Sequence, residues 1–142
     1  MANDFEISIE VAVGPDVAWA AAGDPVGIAD WFAPVAKIEI IDGIRHVTMG
    51  SGNVLVEELV DRNETARSYS YRVISGIPGL TSHRATIKVD EAASGARVSW
   101  RQTATSDDPD YDLERRLRAV MTQGLLDLKA VLEGNRSTAA GA

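Results

Sequence analysis

Along residues 5–13 the side chains alternate strictly. Phe5, Ile7, Ile9, Val11 and Val13 fall on one face and Glu6, Ser8 and Glu10 on the other, which is the period of a strand with one wet face. Gly14-Pro15-Asp16 breaks the alternation. The alanine-rich stretch 17–22 around Trp19 then predicts a short helix, and a second is expected over 26–31. Neither is long enough to persist without packing on something larger. From residue 35 the period returns to two and predicts strands over 35–41, 44–49, 53–62, 68–75, 82–90 and 96–104. Asp42-Gly43 is the strongest hairpin signal, because a tight turn needs positive φ at positions these residues tolerate. Gly50-Ser51-Gly52, Arg62-Asn63-Glu64-Thr65 and Ala93-Ser94-Gly95 supply further turns, and Ile77-Pro78-Gly79 interrupts a longer connection. Strands joined in this way form an antiparallel meander, not a parallel dinucleotide-binding sheet.

The helical period takes over after Asp107-Asp108-Pro109-Asp110, a run that combines an N-cap carboxylate, a proline suited to the first turn and further acid for the positive helix end. Leu113, Leu117, Val120, Met121, Leu125, Leu128 and Leu132 recur at three- and four-residue spacing, with Gly134 as the expected C-cap. Residues 1–134 therefore read as one domain, and 135–142, small and polar, as a disordered tail. Seven antiparallel strands and one wide apolar helix have one economical arrangement. The sheet curves, the helix lies in its concave face with Val120, Met121, Gly124, Leu125 and Leu128 inward, and a cavity is left between them.

Composition narrows the function classes. The 142 residues suit one domain burying roughly 70% of its unfolded surface. A net charge of −7 opposes contact with phosphate backbones and anionic lipids, so no nucleic-acid partner is expected. Asp112 and Glu114 precede Arg116 and Arg118 by four residues, the spacing of paired charges on a solvated helix face. There is no cysteine, which removes disulfides, thiolate nucleophiles and iron–sulfur clusters. The acidic start is unlike a secretory signal, and no apolar run approaches the ~18 residues of a membrane span. The expectation is a cytoplasmic protein without a membrane span.

Several segments resemble the polyketide cyclase/dehydrase and lipid-transport family of the START and birch-pollen-allergen-like (SRPBCC) superfamily. Val17-Ala18-Trp19 after the Gly-Pro-Asp turn is similar to the family's first short helix, and Asp30-Trp31-Phe32-Ala33-Pro34 to its tryptophan–proline stretch. Leu55-Val56-Glu57-Glu58-Leu59, Tyr69-Ser70-Tyr71 and Val98-Ser99-Trp100 resemble its strand motifs, and Gly124-Leu125-Leu126-Asp127-Leu128-Lys129 its terminal helix. The resemblance covers residues 4–134. It implies an α+β helix-grip fold: a seven-stranded curved antiparallel sheet around a long C-terminal helix, with two short helices after the first strand. Such folds serve cyclisation, lipid carriage and protein contacts alike.

Alternation selects the inward polar residues. His83 shares a face with Ala85, Ile87 and Val89, Gln102 with Val98 and Trp100, and Tyr69 and Tyr71 with Val73. The fourth strand is ambiguous, since Val54, Val56, Glu58 and Val60 form one face and Leu55, Glu57 and Leu59 the other. The slightly more apolar even register favours Glu58 inward, and the resemblance favours Glu57. The candidate ligand-binding set is Trp31, Glu57, Tyr69, Tyr71, Trp100, Gln102 and Met121, an apolar wall with a few placed polar groups. His83 is the candidate catalytic acid–base, since burial disfavours the imidazolium and a neutral imidazole in an apolar pocket can accept or deliver a proton near pH 7. An inward histidine also serves as a hydrogen-bonded core residue, and buried tyrosines need only a hydroxyl partner. No nucleophile-elbow motif is present, and His46 and His83 lack metal-site spacing, so neither metal nor cofactor is expected.

The sequence thus predicts an internal pocket for a polyketide-, lipid- or terpenoid-like molecule, with cyclisation or dehydration as the enzyme class the resemblance implies. The alternative is a non-catalytic module that binds a protein or ribosomal partner, favoured if the cavity is small or plugged by Trp31 and Trp100. A homodimer is compatible with either.

Overall fold

The computed structural model describes residues 2–108 and 112–141, with side chains from Asn3 to Gly134. Among the described residues the order is β1 (Ala2–Val11), α1 (Pro15–Ala22), α2 (Ile28–Trp31), β2 (Val35–Ile41), β3 (Ile44–Met49), β4 (Val54–Asn63), β5 (Ser68–Ser75), β6 (Leu80–Ala92), β7 (Gly95–Ser106) and α3 (Leu113–Gly141). The strands form one curved antiparallel sheet in the order β1-β7-β6-β5-β4-β3-β2. Every strand pair except β1–β7 is a chain-consecutive hairpin, so the meander predicted from turn chemistry is the topology found. At the first hairpin Asp42 and Gly43 have φ of 52° and 78°, the left-handed pair that a two-residue turn requires. The helix-grip expectation holds, with α3 seated against the concave face: Met121, Gly124, Leu125 and Leu128 are buried among the strands' inward side chains. None of the described helices is long and apolar enough to cross a membrane.

Several boundaries differ from the periodicity reading, each for a local reason. β1 stops at Val11, yet Val13 remains buried because the chain turns under Gly95, where an added Cβ would collide with the Val13 carbonyl. α1 opens two residues earlier, with Pro15 in its first turn, and α2 is a single turn only. At the start of α3 it is Asp112 that caps, its Oδ1 accepting the Arg115 N–H at 3.3 Å. Glu114 and Arg118 form the expected pair at 2.8 Å. Gly134 does not end α3, since the helical backbone continues to Gly141. Pro109 and Asp110 of the predicted cap lie outside the described residues, as do the side chains of the expected 135–142 tail. Val120, expected inward, is 46% exposed.

Two anchorages position the interior. Lys129 donates to the Glu10 carbonyl at 2.9 Å and pairs with Glu133 at 2.7 Å, while Glu133 accepts the Ala12 N–H at 2.8 Å. These bonds tie α3 to the end of β1. The Arg62 guanidinium stacks 4.8 Å from the Trp19 ring and donates to the Gly23 carbonyl at 2.6 Å, which closes the end of α1 over the sheet. Along α3, Gly124 admits the Trp100 ring, whose Cζ3 would stand 3.2 Å from an added Cβ.

Candidate ligand cavity

Between α3 and the sheet lies a cavity of about 80 Å³. Its walls are mostly apolar, including Phe32, Val35, Val47, Val73 and Met121, with Leu117, Val120 and Ile77 also lining it. The exposure of Val120 marks its mouth. Five polar side chains also line it: Arg45, Glu57, Tyr71, His83 and Gln102. Of the candidates, Glu57, Tyr71, His83, Trp100, Gln102 and Met121 are therefore together. Trp31 and Tyr69 are not. Trp31 donates to the Ala21 carbonyl at 3.3 Å and stacks on Phe32, while Tyr69 packs against Trp19, with ring centroids 6.2 Å apart.

The ambiguous register of β4 resolves to Glu57, 5% exposed, with Glu58 half-buried and paired to Arg72 at 3.1 Å. Glu57 faces Arg45 directly across the β3–β4 ladder. Arg45, only 1% exposed, donates from Nε to Glu57 Oε1 at 2.7 Å; its Nη2 stands 2.6 Å from the same oxygen, and its Nη1 donates to the Pro25 carbonyl at 2.9 Å. The guanidinium carbon stands 4.8 Å from the Tyr71 ring centre. Arg45 was absent from the sequence candidates, although a signal existed. In 44–49 it shares its face with Val47 and Met49, and its cross-strand partner is an acid on the face the resemblance favoured.

Burial pushes the Glu57 carboxyl upward, opposed by Arg45. Burial also disfavours the Arg45 cation, but Glu57 and the two tyrosines more than offset this, and the guanidinium stays charged. Tyr71 is pushed far up by burial and then by the Glu57 charge, so it remains a phenol. Its oxygen accepts the Trp100 Nε1–H at 3.1 Å.

His83 is held on both nitrogens. Its Nδ1 accepts the Val73 backbone N–H at 3.0 Å, and its Nε2 stands 2.6 Å from Gln102 Oε1. A backbone N–H can only donate, so Nδ1 carries no proton, and the neutral ring must carry its hydrogen on Nε2 and give it to Gln102. The contact occurs where the β5–β6 ladder ends. Regular pairing stops at Tyr71↔Ala85, and the His83 side chain takes the next N–H in place of backbone. Burial lowers the imidazole's affinity for a proton, and the bond to Gln102 only partly opposes this. Protonating Nδ1 would forfeit the Val73 bond. Among the described residues no cluster of three His, Cys, Asp or Glu is placed to hold a metal.

Solved structures similar to this one share its whole fold. XoxI from Bacillus cereus matches with a TM-score of 0.85 at 22% identity, over 91% of this chain and 94% of that one. The Zhui aromatase/cyclase from Streptomyces sp. R1128 matches with a TM-score of 0.80 at 17% identity, over 94% of each chain. Ara h 8.0201 matches with a TM-score of 0.77 at 18% identity, over 94% of this chain and 99% of that one. At such identities the likeness concerns the fold alone. No curated protein matches the sequence significantly. The sequence model for polyketide cyclase / dehydrase and lipid transport aligns with residues 3–133, nearly the whole helix-grip domain, and the chain belongs to that family.

Proposed function

We propose that the chain binds a small apolar molecule, polyketide-, lipid- or terpenoid-like, in the cavity between α3 and the sheet. The observation that carries this reading is the wall itself: apolar side chains with a few fixed polar groups, continuous with a mouth at Leu117 and Val120. Turnover through His83 is disfavoured. A cyclase or dehydratase needs a group free to move a proton, and His83, the expected acid–base, has both nitrogens committed. The test is native mass spectrometry of the purified protein, followed by titration with the neutral probe N-phenylnaphthylamine. A co-purifying apolar ligand and probe binding lost in Leu117→Trp support the reading. Unaltered probe binding in that variant sinks it.

The second reading, a non-catalytic protein-interaction module, draws on the cavity's size. About 80 Å³ is less than the roughly 150 Å³ that holds a benzene in an engineered apolar cavity. A stoichiometric protein partner with no bound small molecule would select it.

A further inference from the structure

The polar atoms of the cavity are not equally occupied, and the difference specifies a ligand. Glu57 receives Arg45 on Oε1, and Oε2 takes no hydrogen bond from the described residues. Gln102 spends Oε1 on His83, and because Val73 fixes the imidazole tautomer, the amide cannot be turned round. Its NH2 therefore points away from the ring and finds no acceptor among the described residues. No fully buried side-chain nitrogen or oxygen lacks a partner, so these two atoms keep contact with open space, and the open space that both residues border is the cavity. The Tyr71 phenol adds another donor, since its oxygen already accepts from Trp100 and its own hydrogen finds no acceptor among the described residues. The cavity thus offers one strong acceptor and neutral donors. It offers no spare cation: Arg45 is directed at Glu57, the Pro25 carbonyl and Tyr69.

We propose that this cavity takes the neutral hydroxyl-bearing end of an apolar molecule, a phenol, enol or alcohol, and rejects carboxylates. The proposal rests on the small-molecule reading above and names its ligand class. A hydroxyl matches both kinds of open atom, since it can give its hydrogen to a carboxylate oxygen such as Glu57 Oε2 and accept one from a neutral donor such as the Gln102 amide. A carboxylate brings a second negative charge against Glu57 with no cation left to meet it, in surroundings where like charges are poorly screened. The volume admits only the oxygenated end, and the apolar remainder leaves past Leu117 and Val120, which accounts for an exposed valine at the mouth.

The test compares three probes of one shape, para-pentylphenol, para-pentylbenzoate and pentylbenzene, by isothermal titration at pH 7.5 (an arbitrary pH, roughly one unit above the ordinary imidazole value). The expected order is the phenol tightest, about tenfold or more ahead of the hydrocarbon, with the benzoate weakest, because a hydrogen bond to a buried charge is worth at least that factor. Equal affinities, or a benzoate as tight as the phenol, overturn the ligand class while leaving the cavity reading intact. Binding by none of the three overturns both. Glu57→Gln releases Arg45 and is expected to reverse the order of phenol and benzoate; an unchanged order refutes the proposal. Should that variant not fold, Gln102→Met removes the donor at similar volume. It is expected to weaken the phenol about fivefold or more, on the order of one lost neutral hydrogen bond, and to leave pentylbenzene unchanged. A phenol affinity equal to wild type in Gln102→Met counts against the proposal.

Discussion

Two polar pairs are buried against the same ring, Tyr71, and they solve the same problem in opposite ways. Arg45–Glu57 is ionic and lies across the β3–β4 ladder, whereas His83–Gln102 is neutral and lies across β6–β7 beside the point where β5 and β6 part. The Arg45 guanidinium stands 4.8 Å from the Tyr71 ring centre and the His83 ring 5.8 Å from it. In the neutral pair the histidine is fully used, because one nitrogen completes a sheet bond and the other orients an amide. The ionic pair stays buried only because each partner offsets the other, and it leaves one carboxylate oxygen unclaimed. The histidine is thus spent on the fold, whereas the charged pair keeps one carboxylate oxygen for the role proposed above.

The largest expected effect breaks the ionic pair. Arg45→Met leaves Glu57 buried without its cation and should cost about 3–5 kcal/mol, the usual scale for removing one member of a buried pair. The double variant Arg45→Met/Glu57→Leu should recover most of that loss, since neither charge then has to be desolvated. Urea unfolding of the three proteins reads this directly. If the double variant is as unstable as the single, the pair contributes something other than mutual neutralisation and the contrast drawn above fails.

The neutral pair should respond less. His83→Phe strands the Val73 N–H and the Gln102 carbonyl oxygen, for about 2–3 kcal/mol at the usual cost of unsatisfied buried groups. It should also remove a pH dependence. The folded pKa of His83 lies below the unfolded value of 6.5. Its contribution to stability is thus complete above pH 6.5 and is lost as pH falls through the folded pKa, because the unfolded chain binds the proton first. Glu57 acts in the opposite sense: its folded pKa is raised above 4.5, so its contribution is complete below that value and is lost as pH rises through the folded pKa. Unfolding midpoints measured from pH 7.5 down to 5 should fall in wild type more than in His83→Phe. Parallel curves would show that the imidazole is not the titrating group.

The sequence disclosed the sheet, the hairpins and the seat of α3 because each follows from a short-range period or a turn requirement. It disclosed the site only in part. Alternation gives the face of a strand but not the position along it, so Tyr69 and Tyr71 look equivalent although one packs under α1 and the other lines the cavity. The parity of Glu57 and Glu58 was undecidable because β4 shifts register at Val56/Glu57 and again at Leu59/Asp61, and a bulge changes which residues share a face. Trp31 depends on the rotation of a one-turn helix, which no period fixes. Arg45 was legible by alternation alone, but a lone arginine among apolar neighbours acquires meaning only once its partner across the ladder is known.

The smallest effect tests the ring that both pairs share. Gly124 lies inside α3, where alanine is intrinsically better by about 1 kcal/mol. Against that gain, an alanine Cβ would meet Trp100 Cζ3 at 3.2 Å and Phe32 Cε1 at 3.5 Å. Trp100 cannot swing away freely, since its indole N–H is bonded to Tyr71, and Tyr71 is held between Arg45 and His83. Gly124→Ala should therefore be net destabilising by about 1 kcal/mol, the contact outweighing the helical gain. The same substitution combined with Tyr71→Phe, which unties the indole, should lose less than the sum of the two single changes. Additive losses in this double-mutant cycle would mean that Trp100 yields to the alanine without moving Tyr71, and that the two polar pairs are not coupled through the ring.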